Sequence, residues 1–448
     1  MMLFDKILKH RDAIAISMVF CSGPLNYGIR DGLGVAPNSA IFTLIFMFGG
    51  IFLALPYRDL NKLYRNDTPL TFLALVYLVV TLLYMFVYVK EYYFPITVKI
   101  YDCIVIGITL YFLFYLSTVK AKSLRFNFLR FSIFISFIGC LGLLAYAVLN
   151  PDFVLGQRLA ISFKGDSEMD SMGNPHIFGR GAFFGIISAL IYLKYETKSI
   201  YRNLTYLSLL AFLAVLVLSQ AMSSIMAGFG AIAFFVWHNS SFLGIIKGAR
   251  KLLTKWYVWV ILIALIGKGI DVFRKNEAII ELGYNVIERR VEKLVNTIFA
   301  SEDENDITAE EVVTDESAEG RVVTLKIVKE SLIENFEEGW YHKIFFGHGY
   351  FALYVDVPIV EVFHSYGLAG LSIFLVFFIS MIIYSWREMK NPQTIISEWT
   401  AYGFVYFFIF TFTNGLIMDY NRWTFFIMVC RFMPPAIKYV TQLKVSKA

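Results

Sequence analysis

The sequence predicts an all-α polytopic membrane protein with about twelve transmembrane helices and one large extracytoplasmic loop that contains short helices. Apolar runs of transmembrane length recur along the chain. Of its residues 58% are hydrophobic and 17% aromatic, and only 17% are charged, against about 25% in soluble domains. One polar stretch, 271–363, interrupts the runs. Because lipid offers the backbone no hydrogen-bond partners, this stretch has to lie outside the bilayer.

The positions of the spans follow from the length that crosses a bilayer, about 20 mostly apolar residues. Such runs cover 13–29, 38–55, 70–89, 96–119, 127–149, 179–195, 203–219, 222–237, 255–270, 365–385, 396–417 and 423–441. They divide the chain into helices 1–9 (1–270, with an outer segment at 150–179), the large loop (271–363), and the last three helices with the C-terminal tail (364–448). The basic residues before the first run resemble a signal peptide, but no cleavage site follows, so this run is predicted to be retained as a helix.

The orientation follows from the positive charges of the short loops, which favour the cytoplasm. One side of the predicted bundle carries Lys6, Lys9, Arg11, Arg58, Lys62, Arg65, Lys120, Lys122, Arg125, Arg130, Lys194, Lys198, Arg202, Lys247, Arg250, Lys251, Lys255, Arg387, Lys390, Lys438, Lys444 and Lys447. The short loops of the other side contain Arg30, Lys90, Lys99 and Arg422. Both termini are therefore predicted to be cytoplasmic, with the two long segments outside.

Cysteine and histidine usage indicates no cofactor and no metal site. The four cysteines lie in or beside apolar runs without paired spacing, so they are predicted to be buried and reduced. Four of the six histidines (His176, His342, His348 and His364) fall in outer segments, and none has the spacing of a metal motif. Nothing in the charge pattern indicates a nucleic-acid partner.

Arg180 opens the sixth span, between Gly179 and Gly181 and one helical turn after His176. A guanidinium beside the free backbone amides of a helix N-terminus is suited to binding an anion. The alternative is an interfacial arginine that reaches toward lipid headgroups. The residues alone leave both interpretations open.

The large loop has three parts. The first contains apolar residues at near-helical spacing with Arg289 and Arg290 on the polar side, which predicts an amphipathic helix on the membrane surface. The second, Glu302–Glu319, is acidic without lysine or arginine and is typical of a solvated tract. In the third, Arg321 opens a helical pattern and His348 lies in a Gly-His-Gly turn.

Three ionisable residues follow at the membrane boundary: Asp356, Glu361 and His364. Pro358 marks a predicted helix start, and the spacing of Glu361 and His364 places them on one face of a continuous helix. Ionisable groups at this depth are costly, which favours a function for them. The alternative is a solvated helix start, where acidic residues are favourable.

These segments resemble the bacterial O-antigen polymerases and ligases, membrane glycosyltransferases of lipid-linked polysaccharides, over roughly Gly156 to Phe378. The similar motifs are Asn-Pro before a helix (174–175), LSQAMSSIMAGFGA with Gln220 where arginine is common, Glu-Gly-Arg (319–321) followed by FFGHGY, and VDVPIVEVFHSYGLAGL. In ligases a histidine usually stands about ten or eleven residues before the last motif's first glycine. Asp356 stands eleven residues before Gly367, so the polymerases are favoured.

The resemblance implies a multi-pass protein of the bacterial inner membrane that transfers a growing glycan from a polyprenyl-diphosphate carrier to another lipid-linked repeat unit, at the periplasmic face. Its partners would be the lipid-linked donor and acceptor, the bilayer, and a chain-length regulator and flippase of the same pathway. Asp356 or Glu361 would be the base, with His364 and His348 orienting the sugar or sharing that task. The diphosphate and glycan contacts would come from Arg180, Arg321, Arg289, Arg290 and His176.

Other functions stay open at this point. Within the enzyme class, the alternative is a ligase that transfers finished polymer to lipid A core. A secondary transporter would use ionisable residues within the spans, for which Asp102 and Asp419 are the nearest candidates. A scaffold that binds partners through the acidic tract is a third possibility, but it gives no role to Asp356, Glu361 and His364.

Overall fold

The computed structural model describes residues 2–37, 39–55, 63, 68–88, 96–149, 175–239 and 316–433. All secondary-structure elements within these ranges are helical. In chain order they are α1 (Met2–Cys21), α2 (Gly23–Tyr27), a short π-helix (Gly28–Gly32), α3 (Ala40–Ala54), α4 (Pro69–Phe86), α5 (Ile96–Ser117), α6 (Ala121–Leu149), α7 (Pro175–Tyr195), α8 (Ser199–Leu218), α9 (Met222–Asn239), α10 (Glu316–Glu337), α11 (Tyr341–Phe346), α12 (Pro358–Lys390), α13 (Ile395–Thr413) and α14 (Tyr420–Phe432).

The predicted all-helical membrane architecture is confirmed in this coarse form. Within the described ranges, α4, α5, α6, α7, α8, α12 and α13 are long and apolar enough to cross a membrane. Helix α12 begins at Pro358, as the sequence predicted. The predicted ninth span (255–270), the outer segment up to residue 174 and the loop residues 271–315 lie outside the described residues, so the count of twelve spans stays a prediction.

Helices α7 and α13 form the centre of the bundle. In each of them 72% of the residues in the 18-residue apolar stretch are buried, against 28% in the peripheral α8. They are joined by the Trp399 indole, which donates to Ser188 Oγ at 2.9 Å and stacks on the Phe184 ring with centroids 5.1 Å apart. This contact fixes the start of α13 against the second half of α7.

A close contact beside Arg180 fixes the start of α7 against the N-terminal helices. Helix α1 ends at Cys21, and the short helix α2 that follows places Pro24 directly against Gly181. A Cβ atom at Gly181 would lie 2.1 Å from Pro24 Cγ, so this position of the helix accommodates only a glycine. The same glycines that suggested an exposed backbone at Arg180 thus serve close helix packing.

Charged residues form ion pairs at both ends of the bundle. We call the end at which α7 and α12 start the site end, because it carries the polar residues described below. The opposite end carries the ion pairs Lys194–Glu398 at 2.7 Å and Arg130–Glu196 at 3.2 Å. Hydrogen bonds, first that from the Tyr192 hydroxyl, lower the pKa of Glu196 to about 2. Arg130 and Lys194, which the sequence assigned to the same side, thus lie at one end of the bundle, whereas the membrane and the orientation in it stay predictions.

Candidate functional site

Arg321 and Asp356 form an ion pair at the rim of the site end. Arg321 Nε donates to Asp356 Oδ2 at 2.9 Å, and the two side chains are 26% and 21% exposed. A small apolar cluster that includes Val328 of α10 and Val355 and Val357 beside Asp356 holds the two segments together. The structure thus brings Arg321, predicted to bind the diphosphate, into contact with Asp356, a predicted base.

The turn between α13 and α14, residues 414–417, binds both predicted acids. Gly415 N donates to Asp356 Oδ1 at 2.8 Å, and Ile417 N donates to Glu361 Oε2 at 2.7 Å. Gly415 has a φ of +86°, a conformation that favours glycine. The Glu361 side chain is buried, with 4% of the residue exposed. The two carboxylates are therefore held by alternate amides of one turn.

Arg422 lies on the other side of this turn and was missed as a site residue in the sequence. It is 3% exposed, and its guanidinium donates to the carbonyl of Leu416 and, at 3.1 Å, to that of Asn414. Asp419 caps α14 by accepting from the amides of Asn421 and Arg422. Arg422 is ionisable and lies near a predicted membrane boundary in the sequence, a position that favours a function for it as it does for Asp356.

His348 and His364 are stacked in parallel. Their ring centroids are 4.5 Å apart with an interplanar angle of 4°. His348 Nε2 lies 2.8 Å from Asn335 Nδ2 and 3.2 Å from Ser331 Oγ, so α10 holds this ring in place. His364 thus contacts the Gly-His-Gly turn, whereas Glu361 contacts the turn at 414–417. The two residues that were predicted on one helix face have different neighbours.

The stacking depends on a break in α12 at Gly367, whose φ is +63°. The break leaves the carbonyls of His364 and Ser365 without helical partners, and they accept instead from His348 N at 2.9 Å and Gly349 N at 3.1 Å. Gly347 and Gly367 meet face to face: a Cβ atom on either would lie 2.4 to 2.5 Å from the other's backbone nitrogen. Gly367 therefore allows the Gly-His-Gly turn to pack directly against α12.

The first turn of α7 reaches the same region from the centre of the bundle. His176 Nε2 lies 3.3 Å from Asn414 Nδ2. Arg180, one helical turn further along, is half-buried and makes no hydrogen bond or ion pair with the residues that the structure describes. Tyr406 lies within electrostatic reach of both Arg180 and Arg422. Arg180 therefore lies in the first two turns of α7, whose His176 contacts the turn at 414–417.

Asp102 has a structural partner in the loop before α12. The Tyr350 hydroxyl donates to the Asp102 carboxylate, and both residues are buried. Burial, and then nearby groups that include Asp102, raise the pKa of Tyr350 above its ordinary range. This contact joins the Gly-His-Gly-Tyr segment to α5.

Among the residues that the structure describes, no three His, Cys, Asp or Glu side chains gather in a group that could hold a metal ion. Arg289 and Arg290 lie outside those residues.

No protein-family model and no curated protein matches this sequence. Function therefore has to be inferred from the sequence pattern and from the geometry at the site end.

Proposed function

We propose that this chain polymerises polyprenyl-diphosphate-linked oligosaccharide repeat units into O-antigen or a related surface polysaccharide, at the periplasmic face of the bacterial inner membrane. The observation that supports this most is the pairing of Asp356 with Arg321 and with the turn at 414–417, at one end of an apolar bundle. Arg180 adds a further guanidinium in α7, the helix whose His176 contacts the same turn. A base beside cations is what glycosyl transfer from a diphosphate requires.

The reaction needs one proton acceptor and one stabilised leaving group. The acceptor hydroxyl attacks the anomeric carbon of the donor and gives its proton to a carboxylate. A new carbon–oxygen bond forms as the bond between the anomeric carbon and the diphosphate oxygen breaks, and the electron pair stays on the diphosphate. Arginine stabilises that charge because its planar fork contacts phosphate oxygens in pairs.

Asp356 suits the base better than Glu361. Its side chain is 21% exposed at the rim, where an acceptor sugar can reach it. Glu361 is buried against the backbone of the turn. We therefore assign proton transfer to Asp356 and the positioning of the turn to Glu361.

Donor binding would free the base. Each carboxylate oxygen of Asp356 has a partner: Oδ1 accepts from Gly415 N, and Oδ2 accepts from Arg321 Nε. A diphosphate that binds Arg321 competes with Oδ2 for the guanidinium and leaves that oxygen open to the acceptor hydroxyl. Arg180 would hold the diphosphate from the side of α7. In this arrangement the base becomes available when the leaving group is bound.

The remaining predicted residues border this arrangement. The stacked rings of His348 and His364 are assigned to orienting the sugar, since α10 and the break in α12 hold them rigidly. His176 contacts Asn414 of the turn and is assigned to the wall beside Arg180. The role of Arg289 and Arg290 in guiding the glycan stays a prediction from the sequence.

A glycan ladder from a deletion strain tests the class of function. The strain would be complemented with wild type, with Asp356→Asn and with Glu398→Gln, which alters a buried carboxylate of the Lys194 ion pair at the opposite end. We expect single repeat units on lipid A core without the gene and with Asp356→Asn, and a full ladder with wild type and Glu398→Gln. Polymer that is made but not attached would indicate a ligase instead. An unchanged ladder without the gene would contradict both functions for that polysaccharide.

A further inference from the structure

Two peptide groups of the turn at 414–417 stand between Arg422 and the two acids. The Asn414 carbonyl accepts from Arg422 at 3.1 Å, and the amide of the same peptide group, Gly415 N–H, donates to Asp356 at 2.8 Å. The Leu416 carbonyl also accepts from Arg422, and its peptide partner, Ile417 N–H, donates to Glu361 at 2.7 Å. The Arg422 guanidinium is thus linked to two carboxylates, to each through one peptide group of the turn.

This arrangement follows from peptide geometry. In a planar trans peptide the carbonyl and the N–H point in opposite directions. A cation on the carbonyl and an anion on the N–H therefore polarise the same group in the same sense, and hydrogen bonds in such a chain strengthen one another. The turn transmits the charge of Arg422 to Asp356 and Glu361 although their side chains share no direct hydrogen bond.

Burial makes the link costly to lose. Arg422 and Glu361 are 3% and 4% exposed, and an isolated charge at such depth is strongly unfavourable. Asp356 is further out and has Arg321 as a second partner. Removing Arg422 would therefore release the turn from one side while both acids remain on the other.

We propose that Arg422 is a positioning residue that holds the turn at 414–417 so that its amides fix Asp356 for proton transfer. The catalytic part of this inference rests on the proposed function. The structural part, that the amides of Gly415 and Ile417 depend on Arg422, stands independently of it. Arg422 itself needs no contact with the substrate for this role.

Helix α14 supplies a matched control for a merely structural arginine. Arg431 is also buried, 8% exposed, and donates to the backbone carbonyls of Leu116 at 3.0 Å and Val119 at 2.9 Å. It lies on the same helix at the opposite end of the bundle. If buried arginines on α14 serve only to hold the fold, replacing Arg431 and replacing Arg422 have the same consequences.

The experiment compares Arg422→Gln, Arg422→Lys and Arg431→Gln as full chains in detergent. One readout is amide hydrogen exchange in peptides that cover 410–419 and 354–362. The other is kcat and KM for polymerisation, with the lipid-linked repeat unit isolated from a strain that lacks this chain as the probe. Melting temperatures and size-exclusion profiles report whether each variant folds.

We expect Arg422→Gln to speed exchange at Gly415 and Ile417 and to lower kcat about 100-fold, as for the loss of a preorganised donor, with KM near the wild-type value. Arg422→Lys keeps the charge but presents one ammonium to two carbonyls, so it should restore kcat in part. Arg431→Gln should lower the melting temperature and leave kcat and the exchange of 410–419 unchanged.

Three results would overturn the inference: unchanged exchange at 410–419 in Arg422→Gln, an unchanged kcat in that variant, or an equal loss of kcat in Arg431→Gln. If the wild-type chain polymerises nothing, the proposed function fails and exchange alone decides the structural part. Faster exchange in Arg422→Gln would then support the dependence of the turn on Arg422, and unchanged exchange would reject it.

Discussion

Arg321 and Asp356 are 35 positions apart in sequence and meet at 2.9 Å between Nε and Oδ2. The contact links the polar region that α10 belongs to with the helix that returns to the apolar bundle. In the proposed mechanism this pair is the resting state of the site. Donor diphosphate replaces Asp356 on the arginine, and the carboxylate then accepts the proton of the acceptor hydroxyl.

A charge reversal separates this role from a simple ion pair. The double variant Arg321→Asp with Asp356→Arg keeps an ion pair, and a partly exposed pair contributes only about 0 to 1 kcal/mol to stability. We therefore expect both single variants and the double variant to fold with melting temperatures near wild type and to leave the glycan ladder at one repeat. A full ladder in the double variant would show that only the ion pair matters.

Arg180→Ala should weaken donor binding without destabilising the protein. The guanidinium has no hydrogen-bond partner in the described chain, so its loss leaves no buried group unpaired. We expect a raised KM for the lipid-linked donor and a melting temperature equal to or above that of wild type. Arg202→Ala, at the start of α8 on the opposite end, is the control and should change neither. A melting temperature that drops strongly with KM unchanged would make Arg180 a structural residue.

Gly367→Ala should prevent correct folding, whereas Gly339→Ala should be tolerated. Both glycines have positive φ angles, +63° and +72°, a conformation that costs other residues about 1 to 2 kcal/mol. Only at Gly367 would the new Cβ atom collide with backbone, 2.4 Å from Gly347 N. Expression and melting temperatures of the two variants measure the difference. Equal stability would contradict the face-to-face contact of Gly347 and Gly367.

Tyr350→Phe should destabilise the chain by about 1 to 3 kcal/mol, because it leaves the buried Asp102 carboxylate without this donor. Burial raises the pKa of Tyr350 above its ordinary value of about 10. Its contribution to stability is therefore complete below that pH and is lost as the pH rises beyond it. Melting curves of wild type and Tyr350→Phe should converge above pH ~10. A constant difference between them would mean that the phenol does not titrate with unfolding.

The sequence predicted the elements better than their contacts. Apolar length predicted the seven long apolar helices of the described residues, and Pro358 marked the start of α12, because these features are local. The first helix begins earlier than the span 13–29, at Met2, and ends at Cys21, since the basic residues before an apolar run are compatible with helix. The break at Gly367 was not predicted, because within an apolar run it depends on the packing of Gly347 against it.

The site shows the same limit. Asp356 and Glu361 were named because ionisable residues near a membrane boundary are unusual, and Arg321 through the resemblance of its motif, but no spacing rule predicts that two acids share one turn. In the sequence, Arg422 was used only as one of the few positive charges in the short loops of the outer side. Its role depends on carbonyls of the turn at 414–417 that become acceptors only when α13 and α14 are packed.

The most direct test of the central claim uses the purified chain in detergent with isolated polyprenyl-diphosphate-linked repeat unit as both donor and acceptor. Chain length on a gel and release of free polyprenyl diphosphate would be followed for wild type and for Asp356→Asn, whose amide can still accept from Gly415 N. With wild type we predict polymer, and one released polyprenyl diphosphate for each glycosidic bond formed. With Asp356→Asn we predict neither product. Polymer formed at the wild-type rate by Asp356→Asn would contradict the assignment of Asp356 as the base.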